Sequence, residues 1–153
     1  MATRSDELLG VRAMRATDLH QIIEIERRCY HFPWGETAFL DSMVVGYLCR
    51  VLIVSSKVVG YVIVSCGAGE AHLLNVCVDP TWQGRGLGRQ LVCLAKDIAQ
   101  EAGATVLLLE VRPSNVIALK LYSELEFRKI GLRKNYYRGA RGREDAIILS
   151  CPL

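Results

Sequence analysis

Apolar positions along the chain repeat with two periods, and the switches between them sketch the architecture. Val11–Arg15 alternates as a short strand, and Thr17 with Asp18 offers a cap for a helix in which Leu19, Ile22, Ile23 and Cys29 recur at helical spacing. That helix ends near Tyr30. Pro33 disfavours helical geometry at Phe32, so His31-Phe32-Pro33-Trp34-Gly35 forms an aromatic loop before a second short helix over about Glu36–Val44. Tyr47–Val54 and Val58–Cys66 are β-branched runs joined by Ser55-Ser56-Lys57, the pattern of a hairpin with a tight polar turn. Ala71–Val78 is a further strand, closed by Asp79-Pro80 because proline cannot donate to a ladder. Beyond a glycine-rich turn, Leu87, Leu91, Leu94, Ile98 and Ala102 repeat at three and four residues, predicting a long helix that turns one stripe to a sheet and stops at Gly103.

Thr105–Val111 reads as a central strand, since Val106-Leu107-Leu108-Leu109 is apolar on both faces. A last helix over about Ser114–Glu124 gathers Ala118, Leu121, Tyr122 and Leu125 on one face. The chain finishes with antiparallel strands Arg128–Tyr137 and Glu144–Ser150 around a glycine-bearing turn. The order is β-α-α-β-β-β-α-β-α-β-β, an α/β layer structure in which a crossover helix implies a parallel or mixed sheet. No repeat or linker interrupts it, which predicts a tail over residues 1–10 and one domain over 11–153.

Composition narrows the functional classes. A length of 153 residues suits one sizeable core, and a formal charge of +3 without a run of like charges leaves little footprint for nucleic acid. The basic stretch from Arg128 to Arg143 reads first as a solvated strand face, although it would also suit an anionic ligand. Six cysteines form no Cys-x-x-Cys, which argues against zinc and dithiol chemistry and for reduced core residues. His20, His31 and His72 lack ligand spacing, so no metal is expected. A polar N-terminus and the lack of a membrane-length apolar run predict a cytoplasmic protein without a membrane partner.

The chemistry concentrates at Gln83-Gly84-Arg85-Gly86-Leu87-Gly88, between a strand and a helix. Unpaired amides and the positive end of a helix dipole meet there, so an anion, and phosphate above all, is the natural guest. Gly84, Gly86 and Gly88 let a pyrophosphate approach the backbone, while Arg85 and Arg89 add charge. A Walker A loop would end in Gly-Lys-Ser/Thr, but this one ends Gly-Arg-Gln. A dinucleotide loop would carry a third glycine where Arg89 stands. A glycine-rich turn without a ligand stays open on spacing alone.

Gln83-x-x-Gly86-x-Gly88, after Val76-Cys77-Val78-Asp79-Pro80 and before a helix, resembles the coenzyme A pyrophosphate loop of the GCN5-related N-acetyltransferase (GNAT) family. The element order is similar to that family over nearly the whole chain. Phe32-Pro33-Trp34, Leu109-Glu110-Val111-Arg112-x-Ser114-Asn115, Leu121-Tyr122 and Asn135-Tyr136-Tyr137 with Arg143-Glu144-Asp145-Ala146 resemble its bacterial ribosomal-protein alanine branch. The resemblance implies a mixed, mostly antiparallel sheet of about seven strands flanked by about four helices. It also implies acetyl-CoA as co-substrate, direct transfer without metal, and as acceptor the α-amine of an N-terminal alanine of a small-subunit ribosomal protein.

By the same resemblance, backbone groups at Val76, Cys77 and Val78 hold the pantetheine and acetyl carbonyl. Gln83, Gly84, Arg85, Gly86, Leu87, Gly88 and Arg89 hold the pyrophosphate, and Asn115 contacts the cofactor near its thiol end. Glu110 matches the general base and Tyr122 the general acid. Glu110 ends an apolar strand, where desolvation favours a base, whereas Arg112 on the same strand face could pair with it and oppose that effect. Cys77 as a covalent acetyl carrier is the rival mechanism, and a core cysteine is favoured over it. Phe32, Trp34, Tyr136 and Tyr137 would wall an acceptor peptide, with ordinary packing as the other reading of each. By the resemblance, the family usually has glycine where Glu126 stands; if the backbone there must be left-handed, a non-glycine costs about 1 kcal/mol, which bears on local geometry more than on activity. Broader peptide or small-amine specificity, and a non-catalytic acetyl-CoA sensor, remain as alternatives; the oligomeric state is open, with a monomer favoured.

Overall fold

The computed structural model describes residues 9–153. Along the chain lie β1 (Leu9–Ala13), α1 (Leu19–Cys29), α2 (Glu36–Val45), β2 (Leu48–Val54), β3 (Lys57–Gly67), β4 (Glu70–Val78), α3 (Leu87–Glu101), β5 (Val106–Val111), α4 (Val116–Glu124), β6 (Arg128–Gly139) and β7 (Gly142–Pro152). The predicted order holds, with 3₁₀ turns at Ala16–Asp18 and Pro80–Trp82 as additions. The tail expected over residues 1–10 lies outside the described residues except for Leu9 and Gly10, which open β1. The seven strands form one sheet in the order β1-β2-β3-β4-β5-β7-β6. Pairing of β4 with β5 is parallel, and the β1–β2, β2–β3, β5–β7 and β6–β7 pairs are antiparallel, the mixed and mostly antiparallel arrangement expected. The residues cluster into two compact units, one containing the chain up to Val64 with Asn75–Ala95, the other Ser65–Leu74 with Lys96–Leu153.

In the first unit, Val54 pairs with Lys57, and Ser55 and Ser56 between them have φ of 48° and 65°. Two consecutive positive φ values match the right-handed twist of the flanking strands, so the expected hairpin closes in a two-residue turn, with Lys57, expected in the turn, already in β3. Ile22, Ile25, Phe39, Val51, Tyr61 and Ile63 build the core here. The expected cap is corrected: the Asp18 side chain does not cap α1. It accepts from the Arg15 amide at 2.7 Å and from two Arg12 guanidinium nitrogens at 2.8 Å each, closing the 3₁₀ turn instead.

In the second unit, β5 buries Leu107, Leu109 and Val111 and leaves Val106, Leu108 and Glu110 half-buried. The α4 helix starts at Val116, two residues later than predicted, because the Asn115 side chain caps it by accepting from the Ala118 amide at 3.3 Å. The β6–β7 ladder shifts register once between Lys129 and Gly131, where β6 gains one residue, and again between Arg133↔Ala146 and Tyr137↔Glu144, where it gains two more. Asn135, at φ 54°, sits in that bulge and its amide donates to Asp145 at 2.9 Å. The six cysteines are free; Cys49, Cys77 and Cys151 are buried as expected, whereas Cys66 is exposed.

Candidate active site

The first unit carries the glycine loop. The Asp79 side chain accepts from the Thr81 amide and hydroxyl at 2.9 Å each and pairs with Arg28 at 3.1 Å, fixing the turn that leads β4 toward α3. Partial burial raises the Asp79 carboxyl, but the Thr81 bonds and Arg28 outweigh it and hold it below the ordinary range. Gly84 and Gly86 have φ of 79° and 78°. A Cβ at either would meet open space, so the backbone conformation, rather than crowding, requires glycine there. Gln90 donates the first amide bond of α3, to Gly86 at 3.2 Å, so the amides of Leu87 and Gly88 precede the helix ladder. Arg85 lies over the Trp82 ring at 4.3 Å. These residues could hold a pyrophosphate: helix amides, a positive dipole end and flanking cations are the donor set that phosphate chemistry needs.

Gln83 is placed differently from the other loop residues. Its amide donates to the Val78 carbonyl at 3.0 Å, anchoring the loop to the end of β4. The same carbonyl accepts from the Cys29 thiol at 3.3 Å, and the Val76 carbonyl accepts from the Tyr30 hydroxyl at 2.6 Å. The Cys77 side chain is buried, and its thiol is pushed up by its contact with Cys29 and by burial, which disfavours the thiolate a covalent carrier would need.

Beneath the aromatic loop lies Glu26, which the sequence reading missed. It is 1% exposed. Its Oε1 accepts from the Tyr61 hydroxyl at 2.7 Å and from Asn75 Nδ2 at 2.8 Å, and its Oε2 accepts from the Trp34 amide at 2.9 Å. Glu26 stands one turn after Ile22 on the buried stripe of α1; an acid on an apolar helix face is the signal that could have found it. Trp34 packs on Phe39 with ring centroids 5.3 Å apart, while Phe32 is exposed.

The second unit carries the acid–base candidates. Glu110 pairs with Arg133 of β6 at 2.9 Å. The expected competition from Arg112 is resolved otherwise: Arg112 pairs with Glu144 at 3.2 Å, donates to the Arg138 carbonyl at 2.6 Å and stacks over the Tyr137 ring at 4.3 Å. Glu144 also accepts from the Ser114 amide and hydroxyl at 2.9 Å each. The Ser114 hydrogen bond is the foremost influence holding its carboxyl low, with Arg112 assisting. Tyr122 is buried against Phe127, and among the described residues no group hydrogen-bonds its hydroxyl. Burial pushes the Tyr122 phenol up to about 12. Tyr137 is raised to about 12 as well, by burial first and then by the charge of Glu110. Its ring meets Tyr136 edge-on at 4.9 Å, and Arg133 lies over Tyr136 at 4.3 Å. Glu110, Arg133, Arg112, Tyr136 and Tyr137 thus form one network. Of the basic β6 side chains, Arg133 is engaged in this network, on a strand that is mostly exposed.

Among the described residues no group of three His, Cys, Asp or Glu side chains could hold a metal ion, and no helix is long and apolar enough to cross a membrane.

Residues 19–127 match the acetyltransferase (GNAT) family, and the chain belongs to that family. It is an acetyltransferase by that membership and by its relatives, which are named as N-acetyltransferases. It is 38% identical over 94% of its length, and 97% of the relative's, to the [ribosomal protein bS18]-alanine N-acetyltransferase of Escherichia coli strain K12. To the enzyme of that name from Haemophilus influenzae it is 36% identical, covering 94% of this chain and 98% of the relative. The crystal structure of the ribosomal-protein-S18-alanine N-acetyltransferase from Escherichia coli superposes with a TM-score of 0.88 at 38% identity, over 95% of this chain and 94% of that one.

Proposed function

We propose that the protein transfers acetyl from acetyl-CoA to the α-amine of an N-terminal alanine, on a small-subunit ribosomal protein of the bS18 kind. The observation that carries this reading is the 38% identity to a bS18-alanine N-acetyltransferase over 94% of the chain. The glycine loop supports it independently, since its left-handed glycines and the amides that open α3 suit the pyrophosphate of coenzyme A. Bound acetyl-CoA supplies an activated thioester. Leu87, Gly88 and Arg89 amides, with Arg85, hold the phosphates; Val76 and Val78 backbone groups hold the pantetheine arm and the acetyl carbonyl, with the Cys77 carbonyl between them turned toward Gly60. Asn115 caps its helix through its side-chain oxygen and meets the cofactor through its amide nitrogen.

Glu110 is the general base. An α-ammonium has a pKa of about 8, close enough to neutrality for a neighbouring carboxylate to take one proton and free the lone pair that then attacks the thioester carbon. Tyr122 is the acid toward the sulfur. Its phenol at about 12 lies above an ordinary thiol at about 8.5, so it acts chiefly by a hydrogen bond to the departing sulfur while the attacking amine supplies the net proton. Phe32, Trp34, Tyr136 and Tyr137 wall the acceptor, with Arg112 and Glu144 holding Tyr137.

The test mixes the protein with acetyl-CoA and peptides beginning with Ala, Ser or Met and follows thiol release. Preference for the alanine-led ribosomal peptide is expected, with Glu110→Gln lowering kcat while coenzyme A affinity is retained. Equal use of all three peptides would mark a broader N-terminal enzyme. Binding without turnover on any would mark a sensor, and acetylation of lysine side chains alone would defeat the proposal.

A further inference from the structure

The edge of β4 past its ladder carries more than the cofactor-holding role just proposed, on which the following rests. The parallel ladder with β5 covers Glu70–Leu73 of β4, so Val76 and Val78 lie beyond it. The direction of their backbone groups follows from their neighbours. Asp79 donates its amide to the Val59 carbonyl at 2.7 Å, and the Cys77 carbonyl stands 2.9 Å from where a Cβ on Gly60 would be. Residues 77 and 79 therefore face β3, and by the alternation of a strand Val76 and Val78 present N–H and C=O at the opposite edge. Both of those outward carbonyls are held by side chains: Val76 by the Tyr30 hydroxyl at 2.6 Å, Val78 by Gln83 at 3.0 Å and Cys29 at 3.3 Å. Groups at the end of α1 and in the glycine loop thus take the place a neighbouring strand would fill.

A strand edge normally offers donors and acceptors alike. With both carbonyls engaged, this edge is biased toward its N–H groups, which suit a ligand oxygen on which negative charge develops. We propose that Tyr30 is a positioning residue for acetyl transfer: its hydroxyl holds the Val76 carbonyl and so aims the Val76 amide at the thioester oxygen. Tyr30 acts through Val76 and takes no proton itself. It lies just after the last residue of α1, its amide bonded to Glu26 at 3.0 Å, and its ring is 36% exposed, so removing one oxygen leaves the packing in place and opens the carbonyl to water.

Tyr30→Phe in the full chain tests this. With an alanine-led peptide, kcat should fall about tenfold, less than the loss of a direct oxyanion donor. Peptide KM should stay within about twofold, the amount by which unaltered binding contacts scatter. By calorimetry, the ratio of acetyl-CoA to coenzyme A affinity should drop, because only the acetylated form places an oxygen at Val76, and the thermal midpoint should not move. An unchanged kcat and affinity ratio would overturn the proposal, as would a raised peptide KM at constant kcat, which would make Tyr30 part of the acceptor wall. If the unaltered protein binds neither acetyl-CoA nor coenzyme A, the functional reading fails and this inference with it; normal binding with an indifferent Tyr30→Phe sinks the inference alone.

Discussion

Replacing Glu26 by leucine isolates the worth of a buried carboxylate whose partners, among the described residues, are all neutral donors. Leucine keeps the helix and most of the volume but accepts nothing, so the Tyr61 hydroxyl, the Asn75 amide and the Trp34 N–H all lose their acceptor. An orphaned buried donor costs roughly 1–3 kcal/mol. Trp34 is half-buried and water reaches its amide more readily, whereas Tyr61 is 0% and Asn75 7% exposed. Relief of the carboxylate's own desolvation returns part of the loss. The net expectation is about 3–5 kcal/mol, a large share of a total stability of roughly 5–15 kcal/mol. At roughly 2–4 °C per kcal/mol for a chain of this size, the thermal midpoint falls by about 6–20 °C. Glu26→Gln keeps the shape and one acceptor, and rotation of the Tyr61 hydroxyl and the Asn75 amide can meet its NH₂, so its loss is smaller, about 1–2 kcal/mol. Urea titration of both variants, with Tyr61→Phe and the double variants as a cycle, reads these values directly. A leucine variant as stable as the original would refute the reasoning, for it would show that burying the charge costs as much as its three hydrogen bonds return.

Other consequences are quickly checked. Gly60→Ala places a Cβ 2.9 Å from the Cys77 carbonyl and 3.0 Å from Leu91, and since the carbonyl is backbone it should lose about 1–3 kcal/mol in urea titration. The Arg12 hydrogen bond is the main reason the Asp18 carboxyl titrates below its unfolded value. Its stabilisation is therefore present above about pH 4 and lost as pH falls through the folded value, so Asp18→Asn should flatten the acid side of a stability–pH curve. In alkaline absorbance titration, Tyr122 and Tyr137 should ionise near 12, two units above free tyrosine at about 10, and Tyr122→Phe should remove one late phenol. Stability held by these phenols is complete below about pH 10 and declines as pH rises through 12.

The sequence made visible what local pattern encodes. Strand alternation, helical stripes and the Ser55-Ser56 turn lie where their spacing put them, and the glycine loop opens α3 as its composition required. What stayed hidden depends on partners distant in the chain. Arg112 stands two residues from Glu110 yet pairs with Glu144, and Arg133 takes Glu110 instead, a choice made by the β6–β7 hairpin rather than by β5. The two extra residues near Asn135 are equally unreadable from alternation, because a bulge looks like continuing strand until the register of the opposite strand is known. Tyr30 looked like a helix terminus; its hydroxyl acquires meaning only from Val76, far along the chain.

Glu126 shows how a local rule and a catalytic placement meet. Its φ is 71°, a left-handed conformation that favours glycine. The amide of Phe127 bonds the Tyr122 carbonyl at 3.0 Å and that of Glu126 bonds Ser123 at 3.2 Å, the paired bonds of a Schellman motif with Glu126 at its left-handed residue. The accompanying apolar contact is between Phe127 and Tyr122, centroids 5.4 Å apart, so the motif that ends α4 also packs the proposed acid. Lys96 reinforces it, donating to the Leu125 carbonyl at 2.6 Å. A side chain in left-handed geometry costs roughly 1–2 kcal/mol, and glycine's greater freedom in the unfolded chain offsets up to about 1 of it. Glu126→Gly should therefore raise stability by about 0.5–1 kcal/mol with kcat unchanged, because the hydrogen bonds that fix Tyr122 are all backbone. Lower stability would mean that the Glu126 side chain contributes more than its strained backbone loses. A change in kcat would mean that the end of α4, rather than its packing, sets where the Tyr122 hydroxyl stands.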